Sequence, residues 1–230
     1  MKIKTNLINK FTKLNPYKIY NKKKDKNKIL FIDRGQIENT ILNCLFSVVL
    51  NKKYNFNIDV LINYLSKKNP LMKTFTSFGL NNFININIKK NYKNFMLILK
   101  TFLVFFKTNL NILIYKKGWF VNNFIMYDIL FGDIIFDEYN RNNLNFLKKN
   151  LFNKEFQKIL ILSIYKIIFL NDLIIRDKYK YILASSHTYA TNSSIGMRIA
   201  LKKGIKVLNI LSSRLRIYTN LKQAYQSEFH

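Results

Sequence analysis

The chain has 230 residues, 49% of them hydrophobic, enough for one substantial domain with short extensions and too apolar for wholesale disorder. Its formal net charge is +27, carried by lysines strewn along the whole length, with only six arginines, the residue best suited to phosphate and guanine contacts. The excess accompanies abundant Asn, Ile, Phe and Tyr, all read from A/T-rich codons, so it reflects base composition. Nucleic acid is therefore not an expected partner, while weak attraction to an anionic membrane surface is expected.

Cys44 is the single cysteine and excludes an intramolecular disulfide; with His187 and His230 the only histidines, a Cys/His zinc site is excluded as well. Residues 1–28 form a basic lead-in that lacks the continuous apolar core of a signal peptide. No uncharged apolar run approaches the ~18–20 residues needed to span a bilayer. The longest, 95–106 and 159–170, are each broken by a lysine. The expected location is the cytoplasm, with a peripheral position at the inner face of the plasma membrane compatible with the charge.

Ordered structure is expected from residue 29. The run 29–32 has the character of a buried parallel strand and leads directly into Asp33, Arg34 and Gly35. Apolar residues at 37, 41, 45, 48 and 49 have helical spacing, and 56–62 is a second strand. The segment 67–80, with Pro70 and Gly79, predicts loop with one turn of helix. Period-two alternation over 83–88 predicts an edge strand, 92–107 an apolar helix, and 110–115 a further strand. Gly132-Asp133 marks a turn into a helix on which Asp133, Asp137 and Arg141 share one face. Residues 144–175 read as one or two buried helices with a break at Asn171-Asp172.

The most compact unit is 179–211. A short strand at 181–185 ends in the hydrogen-bonding turn Ser185, Ser186, His187, Thr188 and Tyr189. Asn192 or Ser193 can cap the following helix, Ile195, Ile199 and Ala200 give it an apolar stripe, and Lys202, Lys203 and Gly204 close it. The run 205–211 is the next strand. Such a unit is parallel and right-handed, and ligands in such sheets bind beyond the carboxyl ends of the strands, where His187 falls. The alternation of strands and helices predicts an α/β fold: a three-layer Rossmann-like domain over 29–211 with a mainly parallel sheet.

The segment FGDIIFDEYNR (131–141) resembles a stretch of bacterial surface-carbohydrate and capsule polysaccharide biosynthesis proteins. SSHTYATNSSIGMRIALKKGIKV (185–207) is similar to the histidine–tyrosine turn and the glycine, arginine and alanine helix of the same proteins. The resemblance covers the amino-terminal half of that family. It implies a glycosyltransferase-like protein of the GT-B arrangement, in which the first domain receives the acceptor and the second holds the sugar nucleotide. On that reading residues 212–230 are an extension or the start of a missing second domain, and the chain is a truncated product, half of a split protein or a remnant. No G-x-G-x-x-G phosphate loop is present, so nucleotide binding is not read from the residues themselves.

The candidate catalytic residues are His187, as general base toward an acceptor hydroxyl, and Asp133, whose carboxylate can orient that sugar. The candidate substrate-binding residues are Arg34, Gly35, Gly132, Asp137, Arg141, Ser186, Tyr189 and Arg198. Each has a plainer reading beside it. His187 can be a turn histidine, Asp133 a helix cap, and Asp137 with Arg141 a surface ion pair. Tyr189 can be a packing residue, and Arg198 can lie with its stem over the core. No cofactor is expected; Asp133 and Asp137 are the one carboxylate pair that leaves a metal open. The competing functions are a non-catalytic partner domain that completes a second polypeptide, which predicts an exposed apolar face, and a basic nucleic-acid or membrane-surface module, which predicts lysines concentrated on one face.

Overall fold

The structure, a computed structural model, describes residues 13, 15–19, 27–33, 37–63, 70–87, 94–142, 151–184, 192–211 and 214–226. The elements follow the apolar patterning. Strand β1 (Lys28–Ile32) leads to helix α1 (Ile37–Tyr54), β2 (Asn57–Ile62), α2 (Pro70–Ser77) and the short β3 (Phe83–Asn85). Helix α3 (Phe95–Asn123), the hairpin β4 (Ile125–Met126) and β5 (Ile129–Leu130), then α4 (Gly132–Asn142) and α5 (Lys154–Asp177) come next. The chain continues through β6 (Tyr181–Ala184), α6 (Asn192–Lys202), β7 (Lys206–Leu211), β8 (Arg214–Tyr218) and α7 (Leu221–Gln226).

Among the described residues six strands form one sheet in the order β3-β2-β1-β6-β7-β8. All neighbours are parallel except β8, which runs antiparallel to β7. The chain steps outward from β1 to β3, returns across the sheet, and resumes beside β1 with β6. Strand order therefore reverses between β1 and β6, the place where doubly wound sheets open a crevice at their carboxyl edge. Alternation along β1 sends Ile29 and Phe31 into one core and Leu30 and Ile32 into the other. The first core packs α1 and α2, and the second packs α3 to α6, giving the expected three-layer Rossmann-like architecture.

Several expectations need correction. Residues 110–115 are not a strand: α3 runs through them, because Leu97, Thr101, Thr108 and Ile112 form a buried stripe at helical spacing and no glycine or proline interrupts it. Its one irregularity is Lys116, with φ 65° and ψ −175°, which kinks the helix. There is no break at Asn171-Asp172; α5 continues to Asp177 with Asn171 buried inside it. The segment around Pro70 is a helix of eight residues with proline at its first position, where the missing N–H is harmless. The edge strand at 83 is only three residues long.

The sheet extends past residue 211, since β8 pairs with β7 from Val207↔Tyr218 to Leu211↔Arg214. Part of the lead-in is packed: Ile19 is buried, and its N–H donates to the Phe78 carbonyl at 2.7 Å. The closure of α6 is a Schellman motif, as the lysines and glycine predict. Gly204 takes φ +74°, its N–H bonds the Leu201 carbonyl at 3.1 Å, and the Ile205 N–H bonds the Ala200 carbonyl at 2.9 Å.

Candidate functional site

Ile32 at the end of β1 pairs with Ala184 at the end of β6, so both strands end at one edge of the sheet. Arg34, Gly35, Ser186, His187 and Tyr189 lie outside the described residues, as do Ser185 and Thr188. Asp33 is described and buried at the tip of β1, where its carboxylate accepts a 2.7 Å hydrogen bond from the Thr40 hydroxyl of α1. Cys44 lies one turn beyond Thr40. Burial, and then the Asp33 carboxylate, push its thiol pKa well up, which makes it a packing residue without nucleophilic character.

The second feature joins α4 to α6. The residues from Ser193 to Leu201 are buried in succession, so α6 is enclosed on all sides, and Arg198 within it is 1% exposed. Its guanidinium meets Asp133 in a bidentate fork, Nη1 to Oδ1 and Nη2 to Oδ2, each 2.7 Å. Nη1 also donates to the Leu130 carbonyl at 2.6 Å. The Tyr225 ring of α7 lies 4.6 Å from the guanidinium carbon, and its hydroxyl accepts from the Leu130 N–H at 3.3 Å. Arg198 thus ties α6 to the hairpin, the start of α4 and the last helix. A guanidinium so engaged holds chain to chain.

Two glycines allow this close assembly. A Cβ on Gly132 would collide with the Phe120 carbonyl oxygen of α3, and one on Gly196 would meet the Ile32 Cδ1 methyl of β1. The first glycine seats α4 on α3; the second lets α6 lie directly on the strand beside the reversal. Asp133 is not a simple N-cap, because both of its oxygens serve Arg198.

Asp137 and Arg141 sit on later turns of α4 and are exposed. Partial desolvation of the Asp137 carboxyl, then the Asp133 carboxylate, raise its pKa, and Arg198 and Arg141 oppose the rise. Among the described residues no group of three or more His, Cys, Asp or Glu side chains could hold a metal ion. A cleft of about 380 Å³ lies on the α2 side beside β3, lined by Met72, Lys73, Thr76, Asn81 and Phe83, away from the Arg198 cluster.

No family model, curated protein or solved structure matches the chain. The resemblance of residues 131–141 and 185–207 therefore stands on those segments alone.

Four residues at or near this edge escape a reading by motif. Asp33 is signalled only by polarity at the end of an apolar strand, and Thr40, inside α1, has no local signal. Tyr225 has no local signal. Asn209 is fully buried in β7, level with Ala184 of β6, and among the described residues neither atom of its amide has a hydrogen-bond partner. An asparagine inside KVLNIL is the visible clue, since buried amides otherwise carry partners. A further buried carboxylate, Asp59, belongs to the opposite, amino-terminal edge. There it accepts from the Tyr179 hydroxyl at 3.0 Å and from the Asn82 amide, with Lys28 at 3.9 Å.

Proposed function

We propose that the chain is the acceptor-side domain of a glycosyltransferase-like protein of bacterial surface polysaccharide assembly, acting with a second nucleotide-fold domain in cis or from another polypeptide. One observation carries the reading. The two segments that resemble that family are far apart in sequence, yet Arg198 of one grips Asp133 of the other, and the helix that carries Arg198 rests through Gly196 on β1, where strand order reverses.

In this reading Asp133 and Arg198 are positioning residues that fix α4 against α6. The segments after β1 and β6 receive the acceptor, with Arg34, Gly35 and Ser186 supplying hydrogen bonds and Tyr189 a face for a sugar ring. His187 takes the proton of the acceptor hydroxyl as its oxygen bonds the anomeric carbon, and the nucleoside diphosphate departs with the bonding pair. Asp33, fixed by Thr40, supplies a carboxylate at the same edge. Gly132 packs α4; Asp137 and Arg141 form the outer rim.

The test is transfer from radiolabelled nucleotide sugars to saccharide acceptors, by the chain alone and with a second nucleotide-fold domain added. Transfer that requires both polypeptides supports the proposal. Failure of every donor and acceptor with both present contradicts it.

A further inference from the structure

Helix α3 is apolar on two opposite sides. Its inner stripe, including Leu97 and Ile112, belongs to the core shared with α5. On the outer side Phe95, Phe102, Leu103, Phe106, Leu110 and Leu113 are between 45% and 69% exposed. At 100° per residue these six fall within an arc of about 100°, one continuous apolar face. Water-facing helices put polar residues there, and a surface of this kind marks a contact with something apolar.

The charges around the face select the occupant. Residues 95–123 contain four lysines and no aspartate or glutamate. Lys100 and Lys107 follow the inner stripe's border with the apolar arc, within reach of a headgroup layer. A second copy of this chain would bring an equal charge of +27 against this one, which opposes self-association.

By length and composition, Phe95–Lys116 would suffice to cross a bilayer. Its inner stripe is part of the folded core, however, so a spanning position would strip the second core of one wall. The arrangement fits a helix lying in the plane of the surface with one face sunk below the headgroups.

We propose that the outer face of α3 seats this domain on an anionic phospholipid membrane as an interfacial helix. The inference stands apart from the transferase reading and holds or fails without it. The full chain is to be sedimented with phosphatidylcholine vesicles, with and without phosphatidylglycerol.

Binding to the phosphatidylglycerol vesicles is expected. The double variant Phe106→Ser/Leu110→Ser should partition at least ~10-fold more weakly, because two large apolar side chains no longer leave water. Both positions are exposed, so its melting temperature should match the unsubstituted chain. Full vesicle binding by the variant would mean that lysine charge alone attracts the protein, and would overturn the proposal. So would no binding by the unsubstituted chain. A concentration-dependent dimer lost in the variant, with no vesicle binding, would assign the face to a second copy.

Discussion

Arg198 and Asp133, sixty-five residues apart, share two parallel hydrogen bonds of 2.7 Å, with the guanidinium sealed inside the fold and the carboxylate 26% exposed at the side chain. Removing either partner leaves the other charge partly or wholly buried without its counter-ion. Arg198→Ala should therefore cost about 3 kcal/mol of stability, at the lower end for a broken buried pair because Asp133 is partly solvated. Asp133→Ala should cost at least as much, since it strands the deeper group. Denaturant unfolding of the singles and the double measures the coupling. A double variant whose loss equals the sum of the singles would contradict the pairing.

Glycine positions give a graded prediction from space alone. Gly132→Ala drives a methyl into the Phe120 carbonyl, backbone that cannot turn aside, and should cost more than about 2 kcal/mol. Gly196→Ala meets a flexible isoleucine methyl and should cost less. Gly118, within α3, has nothing within 4 Å, so alanine there should stabilise by about 0.5–1 kcal/mol. Thermal melts of the three should fall in that order.

At the amino-terminal edge, Tyr179 donates to Asp59 at 3.0 Å and to Asp177 at 3.2 Å. Burial and both carboxylates raise its hydroxyl pKa far above the usual value, so it stays a donor. Tyr179→Phe keeps the packing and removes the donor to a buried carboxylate, which should cost about 1–3 kcal/mol at neutral pH. An unchanged unfolding midpoint would contradict this.

Asp177 provides a pH test. The hydrogen bond from Arg176 holds its carboxyl below the usual range, against partial desolvation and with help from Tyr179. A carboxylate depressed in the fold contributes stability that is present above its unfolded-chain pKa and is lost as pH falls through the folded value. The Arg176 side chain is 71% exposed, so the contribution is at most about 1 kcal/mol. Asp177→Asn should melt slightly lower at neutral pH, and the gap should close in acid. A gap that widens in acid would contradict the assignment.

Most of the sheet was legible because its strands are short apolar runs ended by polar turns, and buried parallel strands need little else. The unit from Tyr181 to Leu211 followed from its apolar spacing and from the glycine that closes its helix. The run 110–115 misled because β-branched residues alternate there, while the signal that mattered was the longer stripe from Leu97 to Ile112. The hairpin at Tyr127-Asp128 carries no Asn-Gly or Asp-Gly pair, although both residues take positive φ, so its turn was invisible. Asp133 and Arg198 were both visible as candidates. Their partnership was not, since nothing local tells a residue which distant carboxylate it will face. Tyr225 was missed because nothing local names Arg198 as its partner.

The central claim is best tested at His187. With a second nucleotide-fold domain present, transfer of labelled sugar to an acceptor should be at least ~10²-fold slower for His187→Ala than for the unsubstituted chain, while the melting temperature stays the same. Full turnover by His187→Ala, or parallel loss of turnover and melting temperature, would contradict the proposed base.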